Sequence, residues 1–290
     1  MKIICLGTGC PEPSVRRASS GYLVEIGEDR VLLDCGGGVF DRLIQSGRRP
    51  SDITHIFFTH LHSDHMMDYA RLVHAAWDEG GAPVKVFGPP PIAEITEKLF
   101  GRHGVFATDL IARTENPGSQ EVWEERGGVL PRPWPEPHVV EIEPGHRIDA
   151  GLWCLSSCNA PHAQPQLTCM AFRLDTADAS FVYTGDTALC DDVETLARGA
   201  DLLIHWCYRM VGDEAHPFIR SMSPDAVEIA QLAGRCRVKQ LLLTHLRTAM
   251  DDATSRDKML YHMRAHFSGK ADIAEDLMVI DLAAPQSHGQ

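Results

Sequence analysis

The sequence predicts an α/β fold in which two mixed β-sheets pack face to face, with helices outside. Short apolar runs typical of strands recur in both halves of the chain, and stretches of helical periodicity lie between and after them. The 290 residues are enough to bury one large core, and the 44% hydrophobic and 23% charged shares are typical of a globular enzyme. We therefore expect a single domain over residues 1–282 and a disordered tail at 283–290.

The strands are predicted from apolar runs that end at glycine, proline or polar residues. In the first half of the chain they are Lys2–Leu6, Gly21–Ile26, Val31–Asp34, His55–Thr59 and Val84–Gly88. In the second half they are Val139–Ile142, Leu152–Ser156, Thr168–Leu174, Ser180–Thr184, Leu202–His205 and Gln240–Thr244.

The helices are predicted where apolar residues recur at helical spacing or where a glycine turn or a proline can start one. They are Val39–Gln45, Met66–Ala76, Pro89–Phe100, Asp191–Arg198, Pro224–Ala233 and Asp252–His266. Residues 101–137 lack clear periodicity and contain the run VLPRPWPEP, so we expect an irregular insertion there. A loop of that length is typically a lid, a binding loop or a contact surface.

Charge and composition exclude several classes of protein. The formal net charge of −13 argues against broad binding to a phosphate backbone. No apolar run is long enough to span a membrane, and the N-terminus lacks the pattern of a signal peptide. The nine cysteines are scattered without a CxxC motif, as expected for reduced thiols. These observations predict a cytoplasmic protein.

Residues 60–65 form a cluster of metal-binding side chains, HxHxDH, at the point where a strand ends and a helix begins. His60 and His62 are two positions apart, so their side chains project to the same side of an extended backbone. Asp64 and His65 fall at the helix start and can turn toward the same pocket. Imidazole and carboxylate together suit zinc or a similar divalent metal.

Three further residues can complete a dinuclear site. His162, Asp186 and His245 each lie just past a predicted strand, where a sheet presents side chains at its edge. With the HxHxDH cluster they make a set of seven candidate ligands.

The sequence resembles the metallo-β-lactamase-fold hydrolases, and within them the ribonuclease Z and arylsulfatase-like branch. The matching segments are LGTG at 6–9, LDCG at 33–36, the HxHxDH cluster, TGDT at 184–187, ADLLIH at 200–205 and LLLTH at 241–245. The resemblance implies a four-layer αββα sandwich with a metal site at the sheet edges.

The resemblance also implies how the metals are shared. His60, His62 and His162 would hold one divalent ion, Asp64, His65 and His245 the other, and Asp186 would bridge them. Histidine rather than glutamate at position 62 favours a zinc-type hydrolase over a diiron redox protein, with Mn²⁺ or Fe²⁺ as alternatives to Zn²⁺. A hydroxide bridging the ions would attack the substrate, with Asp64 orienting it and His205 assisting the leaving group.

Three departures from ribonuclease Z lead us to expect a small-molecule substrate. The interval from His162 to Asp186 is too short for a tRNA-gripping arm, Trp206 and Cys207 stand where a glutamate is expected, and the chain has no extended basic stripe. Nucleic acid is therefore predicted to be an unlikely substrate and a membrane is not expected as a partner. A homodimer is left open.

The sequence thus predicts a dinuclear metal-dependent hydrolase of a small ester, with a phosphodiester favoured over a sulfate ester. The alternatives are a lactonase or other carbonyl-ester or amide hydrolase, a ribonuclease Z-like tRNA 3′ processing nuclease, and a non-catalytic metal-binding protein.

Overall fold

A computed structural model describes residues 1–282, which form two seven-stranded sheets with helices on their outer faces. The predicted four-layer αββα class is confirmed. The predicted disordered tail at 283–290 lies outside the described residues.

Groups of strands alternate with groups of helices along the chain. The strands are β1 (Lys2–Gly7), β2 (Gly21–Ile26), β3 (Asp29–Leu33), β4 (His55–Phe57), β5 (Lys85–Gly88), β6 (His138–Glu141), β7 (Arg147–Asp149), β8 (Cys154–Asn159), β9 (Met170–Asp175), β10 (Ser180–Tyr183), β11 (Leu202–Trp206), β12 (Gln240–Thr244), β13 (Lys270–Ile273) and β14 (Val279–Asp281). The helices are α1 (Val39–Gln45), α2 (Ser63–Met66), α3 (Tyr69–Asp78), α4 (Ile92–Phe100), α5 (Ala107–Glu115), α6 (Pro117–Glu125), α7 (Asp191–Ala197), α8 (Pro217–Met222), α9 (Ala226–Cys236) and α10 (Ala253–His266).

The two sheets have the orders β14-β1-β2-β3-β4-β5-β6 and β13-β12-β11-β10-β9-β8-β7. The pairs from β3 to β6 and from β10 to β13 are parallel, and the other neighbours are antiparallel. Parallel neighbours need a crossover connection, usually a helix. Every connection between successive parallel strands here carries at least one helix, which explains why the helices cover the outer faces.

One apolar core fills the space between the sheets. Phe57 on β4 and Phe172 on β9 meet edge to face with ring centres 5.8 Å apart, which joins the two sheets directly. On the outer faces, α1, α3 and α4 pack on the first sheet, and α9 and α10 pack on the second. The extent of a single domain over 1–282 stays a prediction.

The predicted irregular insertion at 101–137 is wrong for its first part, because α5 and α6 occupy 107–125. Asn116 caps α6, its side chain accepting a hydrogen bond from the Ser119 amide at 3.2 Å, and Pro117 takes the first helical position. Leu110 is the one buried residue of α5, and α6 has none. Because these helices bury so little surface, their sequences are less apolar than those of α3 or α9, and this weakens the signal of a buried helix.

Four short elements in the second half of the chain were not predicted either. These are β7, α8, β13 and β14, all of six residues or fewer.

No helix within residues 1–282 combines the length and apolar character that a membrane crossing needs. The cytoplasmic location stays a prediction.

Candidate metal centre

The seven candidate ligands come together where strands of both sheets end. His60, His62, Asp64 and His65 follow β4 of the first sheet, and α2 begins within the cluster. His162, Asp186 and His245 follow β8, β10 and β12 of the second sheet. Although 185 positions separate the first and last of them, their side chains form groups whose potential ligand atoms lie within 4.8 Å of one another.

The first group is formed by His60, His62 and His162. Nδ1 of His62 lies 3.0 Å from Nε2 of His60 and 3.3 Å from Nε2 of His162. Burial lowers the pKa of His60 and of His162. These imidazoles are therefore neutral near pH 7, which is the form that binds a metal.

The second group is formed by Asp64, His65 and His245. Oδ2 of Asp64 lies 3.2 Å from Nε2 of His245 and 3.5 Å from Nε2 of His65. His245 has a positive φ of 61°, which aims its side chain back toward the site from the end of β12. Few residues other than glycine adopt this conformation, and such strain is typical of functional positions.

Asp186 lies between the two groups. Its Oδ2 is 3.7 Å from Nε2 of His162 and 3.2 Å from Nε2 of His245, and its Oδ1 is 3.5 Å from Nε2 of His65. Burial raises the pKa of Asp186, but His245 and His65 outweigh burial and bring the pKa well below its usual range. A carboxylate so placed can contact a cation in either group.

The chemistry of the cluster fits bound cations. Nε2 of His65 and Oδ1 of Asp186 are buried and have no hydrogen-bond partner among residues 1–282. Burial would lower the pKa of His65, but Asp34 and Asp186 outweigh it and raise the pKa well above its usual value. Buried polar atoms without partners are costly, and a divalent ion would satisfy these two unpaired atoms.

The sequence interpretation missed Asp34 as a site residue. It follows β3, is fully buried, and its Oδ2 lies 2.7 Å from Nδ1 of His65. The Tyr183 hydroxyl donates to the same oxygen at 2.9 Å, and the amide and hydroxyl of Thr59 donate to the carboxylate at 2.8 and 2.9 Å. A carboxylate on the far nitrogen of a ligand histidine fixes its tautomer and ring orientation. The aspartate at the end of a strand in LDCG was the available signal.

Close backbone packing holds the two sheets together at this edge. Gly185, which precedes Asp186, has a φ of +55°, and a Cβ there would lie 2.8 Å from Cβ of Thr59. Only glycine lets the β10 turn approach the end of β4 this closely. The TGDT segment thereby carries Asp186 between the two histidine groups.

His205 lies on β11 and is fully buried. Its Nδ1 is 2.8 Å from the carbonyl oxygen of Trp206 and must carry the proton, since a carbonyl only accepts. Burial lowers the pKa of His205 to about 4, so the ring is neutral near pH 7, and Nε2 has no hydrogen-bond partner in the described chain. Its assistance to a leaving group stays a prediction.

The candidate ligands open into a pocket with an apolar outer wall. Five of them line it: His62, Asp64, His162, Asp186 and His245. The remaining lining comes mainly from residues 206–223, including Trp206, Tyr208 and Phe218. The residues of the insertion at 101–137 do not line this pocket.

Comparison with known proteins agrees with this geometry. A family model described as "Beta-lactamase superfamily domain" matches residues 29–246. A Ribonuclease Z of Mycobacterium bovis is 28% identical over 296 residues, covering 97% of this chain and 98% of the relative. Among solved structures, the metallo-β-lactamase fold protein YhfI from Bacillus subtilis has a TM-score of 0.73 at 22% identity, covering 97% of this chain and 99% of that protein. Human short-form tRNase Z has a TM-score of 0.67 at 20% identity, covering 98% and 100%.

The prediction that nucleic acid is an unlikely substrate is wrong, because relatives that align with nearly the whole chain are named Ribonuclease Z. An alignment of 296 residues that covers 97% of this chain leaves the relative no room for a long additional arm either, so the missing arm does not separate the two proteins. The net charge of −13 is an average over the whole surface. A substrate meets the local field instead, in which any bound divalent ions would be the largest charges.

The family match covers most of the chain, and the two-sheet fold brings imidazole and carboxylate groups together at one edge. The chain therefore belongs to the β-lactamase superfamily and is a hydrolase with the metallo-β-lactamase fold.

Proposed function

We propose that the chain hydrolyses a phosphodiester bond in RNA with the help of two divalent metal ions. His60, His62 and His162 would hold one ion, Asp64, His65 and His245 the other, and Asp186 would contact both. The imidazole and carboxylate donors favour Zn²⁺, with Mn²⁺ or Fe²⁺ as alternatives.

The position of Asp186 is the observation that carries the proposal. Its carboxylate oxygens lie 3.2 to 3.7 Å from histidines of both groups. A single carboxylate shared by two groups of nitrogen donors is suited to two neighbouring ions, and paired ions are common in enzymes that break phosphodiester bonds.

Bound ions would lower the pKa of water and neutralise charge on the phosphate oxygens. Asp64 lines the pocket, so its carboxylate can accept a hydrogen bond from the attacking water and orient it. Asp34 holds His65 in one tautomer through the contact at Nδ1. His205 is neutral with its proton on Nδ1, so its Nε2 can accept a proton but has none to donate until it is itself protonated.

RNA is proposed as the substrate because the relatives that match along the chain are named Ribonuclease Z, and a protein of the same fold is named tRNase Z. A tRNA carrying a 3′ extension is therefore the first substrate to test.

The test compares wild-type protein with the Asp186→Ala variant. We expect two divalent ions per wild-type chain, cleavage of the extended tRNA, and a loss of at least about 100-fold in cleavage rate and of bound metal in the variant. Asp109→Ala is the matched control, because Asp109 is exposed and pairs with Arg113 on the same helix.

Metal content and turnover together separate the alternatives. Full metal loading with no cleavage of RNA or of bis(p-nitrophenyl) phosphate contradicts the phosphodiesterase proposal. Turnover of p-nitrophenyl sulfate or of a lactone instead would favour the sulfate-ester or carbonyl-ester alternatives, and metal without turnover of any ester would favour a binding protein.

A further inference from the structure

An aromatic wall stands beside the candidate metal ligands. We use this name for Trp206, Tyr208 and Phe218, which line the same pocket as His62 and His162. Phe218 is 64% exposed, so its apolar ring is accessible to a ligand in the pocket. Ile219 and Met222 of α8 complete the apolar lining.

The two inner rings of the wall are held in place by their neighbours. The Trp206 ring lies edge to face with His162 and His245, at 5.3 and 5.5 Å between ring centres, and its indole N–H donates to the Thr187 carbonyl. The Tyr208 ring centre is 5.7 Å from that of Trp206. These rings are therefore a preorganised surface rather than loose side chains.

An arginine supports the wall. The guanidinium of Arg247 lies 5.0 Å from the ring centre of Tyr208 and pairs with Asp213 at 3.3 Å. A guanidinium over an aromatic face is a favourable contact that also fixes the ring. Ser223, which also lines the pocket, donates its hydroxyl to the Ile219 carbonyl. That hydroxyl proton is therefore not offered to a ligand.

The position and size of the pocket limit what it can hold. Its volume is about 320 Å³, near the lower end of the range for small-ligand sites. Because five candidate metal ligands form part of the same lining, an occupant of the pocket would lie beside a phosphate held at the metal centre. Of the parts of a nucleotide, only the base has flat apolar faces that stack on aromatic rings, and a base in a duplex is already stacked and paired.

We propose that the aromatic wall stacks one unpaired base of the RNA, on the nucleotide adjoining the scissile phosphate, so that the enzyme selects unpaired nucleotides. This inference rests on the proposed RNA phosphodiesterase function. Stacking reads no base edges, so the selection is tolerant of sequence. Trp206 stands where the family resemblance leads one to expect glutamate, so this ring of the wall departs from the family pattern.

The test uses RNA hairpins with a 3′ overhang whose nucleotide next to the cleaved bond is unpaired, paired or abasic. The enzyme variants are Tyr208→Leu and Phe218→Ala, and the matched control is Tyr261→Leu, which removes an exposed aromatic ring from α10. Wild-type KM should rise roughly 5- to 150-fold on the abasic RNA, the range expected for one lost base stack. On the unpaired RNA, each wall variant should raise KM by a similar factor. On the abasic RNA, where the stacked base is already absent, each variant should raise KM little above the wild-type value, and metal content should be unchanged.

Each outcome decides the inference. Non-additive effects of the wall variants and the abasic nucleotide, together with an unaffected Tyr261→Leu enzyme, support it. Any of three results overturns it while leaving the RNA phosphodiesterase function in place. These are a wild-type KM that is the same on the abasic RNA, equal cleavage at a paired nucleotide, and effects of a wall variant and of the abasic nucleotide on KM that simply multiply. Wild-type protein that cleaves none of the RNAs overturns the function and, with it, this inference.

Discussion

The buried carboxylate of Asp34 connects a candidate metal ligand to the frame of the protein. It accepts hydrogen bonds from the Thr59 backbone and side chain and from the Tyr183 hydroxyl, and it contacts Nδ1 of His65. Thr59 follows β4 of the first sheet, and Tyr183 belongs to β10 of the second sheet. Asp34 therefore fixes the orientation of His65 relative to both sheets.

Replacing Asp34 by asparagine should weaken metal binding without unfolding the protein. Asparagine keeps the size of the side chain but removes the charge and offers one acceptor oxygen instead of two, so the His65 ring loses part of its orientation. We expect metal affinity to fall about 10- to 100-fold, as for other carboxylates that hold ligand histidines. Competition with a chromophoric chelator measures this directly. Asp29→Asn, a change on β3 whose carboxylate binds the Trp153 indole, should leave the affinity unchanged.

Sequence reasoning finds site residues when their chemistry or their place in the chain is distinctive. The HxHxDH cluster places His60, His62, Asp64 and His65 within six residues, so the sequence alone predicts that they bind metal together. Asp34 is one aspartate among many, and its role depends on a contact with His65, 31 positions away. Only the folded chain reveals that contact.

At the level of elements, the predicted strands were mostly found within one or two residues, whereas the helices α5 and α6 were missed. Strands such as β10 are buried along their whole length, so the sequence must supply an apolar run. The helix α5 packs on Trp77 and Trp134 through Leu110, its one buried residue, and α6 has no buried residue. Side chains outside the helices, rather than an apolar stripe, hold them in place.

Arg132 is one of those side chains. Its guanidinium lies 3.8 Å from the Trp77 ring centre and 4.4 Å from that of Trp123, and it pairs with Asp78 at 2.8 Å. Since Trp123 belongs to α6 and Trp77 to α3, this stack attaches the helices of the insertion to the body of the protein.

Arg132→Lys should loosen the insertion although the charge is kept. Lysine lacks the planar guanidinium that stacks between two rings, so we expect a loss of about 1–2 kcal/mol in unfolding free energy and faster amide exchange in α5 and α6. Arg126→Lys is the matched control, because Arg126 pairs with the same Asp78 at 3.2 Å but is largely exposed. Equal exchange rates in the two variants would contradict a stacking role for Arg132.

At the level of the whole molecule, the two ends of the described chain meet in the first sheet. The strand β14 pairs with β1, and Ile280 reaches the core between the sheets. Three residues of β14 give too short a run to predict, and pairing with a strand that begins 277 positions earlier leaves no local signal. The order of the sheet at this edge therefore depends on tertiary contacts.

Asp276 secures this junction just before β14. Its carboxylate accepts hydrogen bonds from the Thr8 amide and hydroxyl at 3.1 and 2.8 Å, from the Ala18 amide at 2.7 Å and from Nε of Arg42 at 2.9 Å. The side chain is only 7% exposed, so these donors would lose their partner in a region with little access to water. None of these four hydrogen bonds involves a candidate metal ligand.

Asp276→Ala should therefore lower global stability while leaving the candidate metal centre intact. Leaving several donors and a partly buried arginine without an acceptor is expected to cost about 3 kcal/mol. In urea unfolding of the metal-free protein, the midpoint should fall while the slope stays the same, and bound metal in the native variant should match wild type. Asp41→Ala, which breaks an exposed pair with Arg71 on the same side of the sheet, should cost less than about 1 kcal/mol. Equal losses in the two variants would show that Asp276 contributes no more than a surface charge, and loss of metal in Asp276→Ala alone would instead place the chain junction and the metal centre in one cooperative unit.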